Sequence, residues 1–148
     1  MSKTNLLLKT PMLLLAICSI MSLNNVRAAE EPLFQPLSPK VSDLTQYRWH
    51  NRPLVIFAPS KTDPAYVAQI AMLEKQKAEL ADRDIIVFSD TSPKANGTLR
   101  KQLNPKGFEV VLVGKDGGMK LRETTPLNTE VLLSTIDKMP MRQAKLNE

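Results

Sequence analysis

The chain has 148 residues, with 20 lysines and arginines against 15 aspartates and glutamates, one histidine and one cysteine. A single cysteine and a single histidine exclude an internal disulfide framework, a dithiol centre and a two-histidine metal site. No Lys/Arg block exceeds two residues, so the formal charge of +5 does not describe a nucleic-acid surface.

The first 28 residues read as an export leader rather than as part of a fold. Lys3 and Lys9 give a positive start with no carboxylate. The apolar run from Met12 to Met21 follows, and Val26-Arg27-Ala28 places small or short side chains where a signal peptidase reads. The expected cut lies between Ala28 and Ala29. The run is shorter than the roughly 20 residues that a membrane span needs. A retained anchor and lipidation at Cys18 are the alternatives, and Ile17 before the cysteine argues against the second. Removing residues 1–28 takes away Lys3, Lys9 and Arg27, which leaves 17 basic and 15 acidic side chains, a net charge of +2. The only cysteine goes with them. About 120 residues then form one domain with one core, with no membrane association after cleavage.

Residues 29–41 carry Pro32, Pro36 and Pro39 and read as a Pro-rich linker or packed arm, with a flexible tether the simpler reading. Ser42 is expected to cap a short helix through Gln46. Pro53-Leu54-Val55-Ile56-Phe57-Ala58 is an apolar run suited to a strand buried on both faces. Asp63 and Pro64 start a helix expected to run from about 64 to 81, with Tyr66, Ile70, Leu73 and Leu80 inward. Asp84-Ile85-Ile86-Val87-Phe88-Ser89 is a second buried strand, and residues 98–103 form a short helix. Phe108 to Val113 is a third strand. Lys115-Asp116-Gly117-Gly118 turns the chain into a fourth strand, Met119 to Arg122. Asn128 caps a last helix that Pro140 ends, and 144–148 is a C-terminal tail. The order β-α-β-(α)-β-β-α implies an α/β layer with a four-stranded mixed sheet and helices on both faces. Its first two strands are expected to be parallel.

That order resembles the thioredoxin layer. Three segments also resemble an uncharacterised domain of short exported bacterial proteins, with relatives in animal sushi-repeat and coiled-coil matrix proteins. They are Tyr47–Pro59, Val113–Arg122 and Ile136–Gln143. Together they place residues 42–143 in one domain of thioredoxin-like fold. The resemblance implies no established activity, and it supplies no catalytic residue, metal or cofactor. It also makes the Asn96-Gly97-Thr98 sequon idle.

Thioredoxins carry a dithiol after the first central strand, where a helix N-terminus lowers a thiol pKa. Here that stretch is Ser60-Lys61-Thr62-Asp63, without sulfur. Lys106-Gly107-Phe108-Glu109, before the third strand, lacks the proline that thioredoxins place beside the dithiol. Redox chemistry is therefore not expected. Ser60, Lys61, Thr62 and Asp63, with Arg122 as a second cation, form a candidate ligand site for an anion. Binding of a protein or envelope component is the favoured function. Trp49 is expected to pack in the core or at an edge rather than to form a recognition surface. His50 is expected to be partly exposed, and Asp82 and Asp84 solvated.

Overall fold

The structure is a computed structural model, and it describes residues 31–148. The expected leader, its cleavage bond and Cys18 lie outside the described residues. In chain order the elements are β1 (Phe34–Pro36), β2 (Arg52–Phe57), α1 (Pro64–Glu74), α2 (Lys77–Asp82), β3 (Ile85–Asp90), α3 (Thr98–Leu103), β4 (Glu109–Val113), β5 (Met119–Glu123), α4 (Thr129–Asp137) and α5 (Pro140–Leu146). Two single 3-10 turns lie at Thr45–Tyr47 and Pro93–Ala95.

The sheet has the order β1-β3-β2-β4-β5. β2 and β3 pair in parallel with Leu54 opposite Val87, as the long helical crossover requires. β4 runs antiparallel to β2, and β5 returns antiparallel to β4. The central strands are buried on both faces, and side-chain alternation divides them between two cores. Leu54, Ile56, Val87, Val110 and Leu112 meet Leu73 of α1, Leu80 of α2 and Leu132 and Ile136 of α4. On the other face Val55, Phe57, Ile86, Phe88 and Val111 meet Leu37, Tyr47 and Leu99 of α3. The Tyr47 and Phe88 rings are 5.0 Å apart between centroids.

The sheet has five strands, not four. The stretch expected as a linker supplies β1, which pairs in parallel with β3. Leu33 accepts from the Val87 N–H at 2.7 Å and Leu37 donates to Ser89 at 2.8 Å, so this arm is docked along the edge. Its prolines are tolerated because an edge strand is paired on one side alone. The helix expected over 64–81 is interrupted between Glu74 and Lys77. The Gln76 N–H closes a short turn on Leu73, and the Leu80 N–H restarts the ladder on Gln76. Ser42 caps no helix. Its hydroxyl donates to Asp43, whose carboxylate accepts from the Thr45 N–H at 2.9 Å and so starts the 3-10 turn instead.

Pro140 does not end the last helix but begins another. α4 stops at Asp137, Met139 is extended with φ −73° and ψ 137°, and Pro140 takes the first helical position of α5. A residue before proline avoids the helical region, and proline fits a helix start. Most of the expected C-terminal tail is thus helix, through Leu146. The hairpin turn forms as expected. Gly117 has φ 84°, a conformation that favours glycine, and Asp116 accepts from the Gly118 N–H at 3.0 Å. No helix among the described residues is long and apolar enough to cross a membrane.

Candidate functional site

The end of β2 leads through buried Ala58 into the loop expected to hold a ligand. Ser60 and Thr62 place their hydroxyls 3.1 Å apart at the surface. Asp63 sits before α1, and its carboxylate accepts from the Tyr66 N–H at 3.0 Å. That cap occupies the helix start with a negative charge, which disfavours a bound anion there. Lys61 lines a cleft of about 360 Å3 together with Ser38, Ser89 and Asp90. Asp90 is paired with Arg100 at 2.8 Å, and Arg100 also reaches the Ala58 and Asp90 carbonyls. Arg122 has its own partners. Its Nε donates to Glu109 at 2.7 Å and its Nη2 to the Leu103 carbonyl at 2.8 Å. The loop therefore gathers Ser60, Lys61, Thr62 and Asp63, while Arg122 locks the start of β4 to β5. Among the described residues no cluster of histidine, cysteine, aspartate and glutamate could hold a metal ion.

The opposite pole carries most of the buried charge. Arg52, the first residue of β2, is 2% exposed. Its Nη1 donates to the Arg83 carbonyl at 2.8 Å and stands 3.7 Å from the Asp84 carboxylate. Asp84 adopts φ 55°, a region that aspartate tolerates. Lys115 reaches the same carboxylate oxygen at 2.8 Å and Lys145 at 3.7 Å. Beside it, Arg83 grips Asp137 with Nε and Nη2 at 2.8 and 2.9 Å, and also binds Glu79. These hydrogen bonds raise the Arg83 pKa and hold the Asp137 carboxyl below the usual carboxylate range. Arg142 bridges Asp137 and Asp82 and donates to the Asp82 carbonyl. Asp82 stays more than half exposed, as expected, while pairing with Arg142, and Asp84 is a partly buried ion-pair partner. The carboxyl of Asp82 is lowered first by its hydrogen bond from Arg142.

Trp49 does not pack in the core, one of the two places expected for it. It is 56% exposed and belongs to neither core. Its φ is 69°, which is rare for a bulky residue. The Trp49 N–H donates to the Lys115 carbonyl at 2.7 Å, and the Arg48 guanidinium lies 5.0 Å from the ring centroid. Tyr47 is buried, and His50 is exposed. Arg52, Lys115 and Arg142 each lie within a segment recognisable in the sequence, but their convergence is tertiary and no periodicity reports it.

A five-stranded mixed sheet with a parallel central pair, and helices on both faces, makes this a protein of thioredoxin-like fold. The solved structures agree. The chain is similar to the reduced 2-Cys peroxiredoxin of Plasmodium vivax, with a TM-score of 0.53 and 14% identity over 68% of this chain and 84% of that one. It is also similar to thioredoxin peroxidase I of Plasmodium yoelii, with a TM-score of 0.52 and 12% identity over 68% and 79%. At such identities the likeness is one of fold. Residues 43–145 match the family described as "Domain of unknown function (DUF4174)", and the chain belongs to that family. Among curated proteins it is 25% identical over 133 residues to the coiled-coil domain-containing protein 80 of Danio rerio. That match takes in 70% of this chain and 15% of the fish protein's length.

Proposed function

We propose that this domain is an exported, non-redox thioredoxin-like module that binds a protein or an envelope component. The observation that carries the binding role is Trp49. A large aromatic held at positive φ costs about 1–3 kcal/mol, and burial of the ring does not repay it here. Aromatic and arginine side chains presented together are the usual anchors of a contact surface. The non-redox half rests on chemistry. The loop after β2 holds hydroxyls and a capping carboxylate, and neither forms a disulfide. Export rests on the leader pattern of residues 1–28.

A second reading places an anion or small acidic ligand, or an unidentified enzyme activity, at Ser60–Asp63. Lys61 and the paired hydroxyls of Ser60 and Thr62 favour it. The carboxylates of Asp63 and Asp90, and the commitment of Arg122 to Glu109, weigh against it.

The test is photo-crosslinking in the native cell, with the reactive side chain placed at position 49 and, for comparison, at exposed position 101. A discrete adduct from 49 and none from 101 supports the reading. Equal labelling from both positions, or none from either, contradicts it.

A further inference from the structure

We infer that the cleft between the start of β2, the β4–β5 turn and the α4–α5 junction is a binding site for a small organic anion, an aliphatic monocarboxylate. The cleft has a volume of about 480 Å3, within the range of small-ligand sites. Arg52, Lys115, Lys120 and Lys138 line it, against a single carboxylate, Asp116, which Lys120 holds at 2.7 Å. Met139, Pro140 and Met141 give it an apolar wall. It lies at the opposite end of β2 from Ser60, about 20 Å away at roughly 3.3 Å per strand residue.

The charge at this pole is unbalanced. Arg52, Lys115 and Lys145 share one close carboxylate, Asp84, whose Oδ2 is itself buried without a hydrogen-bond partner among the described residues, and Asp137 adds a weaker attraction on Arg52. Counting the neighbouring Arg83–Arg142 cluster as well, seven cations (Arg52, Arg83, Lys115, Lys120, Lys138, Arg142 and Lys145) meet five carboxylates (Glu79, Asp82, Asp84, Asp116 and Asp137). Arg52 is where the imbalance is most costly. It is nearly inaccessible to solvent, and its Nε is buried with no hydrogen-bond partner among the described residues. Burial lowers its pKa, Arg142 adds to the lowering, and Asp84 with a smaller share from Asp137 only partly offsets it. A desolvated cation that is incompletely countered gains most from an added anion. The methionine and proline wall gives that anion a surface for a hydrocarbon tail. A charged head and an apolar wall side by side favour an amphiphilic ligand over a bare inorganic ion.

The experiment is a titration of the isotope-labelled full chain with hexanoate, followed through the amide signals of Gly114, Lys115 and Thr135. Hexan-1-ol and inorganic phosphate are the comparison probes. Hexanoate is expected to give saturable shifts at these amides that weaken as salt is added. Each comparison probe should bind at least tenfold more weakly. Lys138 is exposed, so Lys138→Glu keeps the fold and is expected to weaken hexanoate at least tenfold. Lys101→Glu, an equal charge change on α3, should leave it unchanged. No saturable shift, phosphate or hexanol binding as tightly as hexanoate, or equal losses in the two variants would each overturn the inference. None of these outcomes bears on crosslinking at position 49.

Discussion

Gln69 is the test residue for how α1 is fixed to the rest of the domain. It is 1% exposed. Its side-chain nitrogen donates to the Leu127 carbonyl at 3.0 Å, and its oxygen accepts from the Leu127 N–H at 2.7 Å. This two-point clamp ties α1 to the chain just before α4. Gln69→Leu keeps the volume and removes both bonds, leaving a buried N–H and a buried carbonyl without partners. Each orphaned group costs about 1–3 kcal/mol, and the added apolar contact of leucine returns part of that. The expected net loss is about 3 kcal/mol, a large share of the roughly 5–15 kcal/mol that holds a small domain folded. Urea unfolding followed by circular dichroism should show a lower midpoint at unchanged slope, and the melting temperature should fall by roughly 10–15 °C. Gln76→Leu, at the half-buried α1–α2 junction, should change stability far less. A loss below about 1 kcal/mol for Gln69→Leu would refute the clamp.

Two further outcomes follow from the local geometry. Asn128 accepts from the Glu130 N–H at 2.8 Å and the Val131 N–H at 3.4 Å, so Asn128→Ala should cost about 1 kcal/mol in urea unfolding. Asp137 has its pKa lowered first by its hydrogen bonds from Arg83. A carboxyl depressed in the folded state contributes stability above its unfolded value of about 4 and loses it as pH falls through the folded value. The urea midpoint should therefore drop on acidification below about pH 4, and Arg83→Met should lower it at neutral pH while flattening that acid dependence. An unchanged acid slope in Arg83→Met would count against this role.

The central strands were legible because continuous runs such as Leu54–Phe57 and Ile85–Phe88 suit a strand buried on both faces. The hairpin was legible because Asp116-Gly117-Gly118 supplies its own turn chemistry. β1 was hidden because Pro36 and Pro39 argue locally against strand, and only the pairing with Val87 to Ser89 makes one. The break after Glu74 was hidden because no glycine or proline marks it. Pro140 is locally ambiguous, because a proline serves equally to end one helix and to begin the next. At the candidate site, the residue types from 60 to 63 were visible, and so was the capping role of Asp63. The commitment of Arg122 to Glu109 was not, since 13 residues separate them and the contact depends on strand register. Arg52, Lys115, Lys145 and Asp84 come together from four separate stretches, which no single-segment pattern reports.

A scaffold of this fold that works without thiol chemistry should leave disulfide exchange uncatalysed. Insulin disulfide reduction by dithiothreitol, followed with the purified full chain and with the chain from Ala29 onward, is expected to run at the rate of buffer alone in both. Reduction faster than buffer by the chain that starts at Ala29 would contradict the non-redox reading.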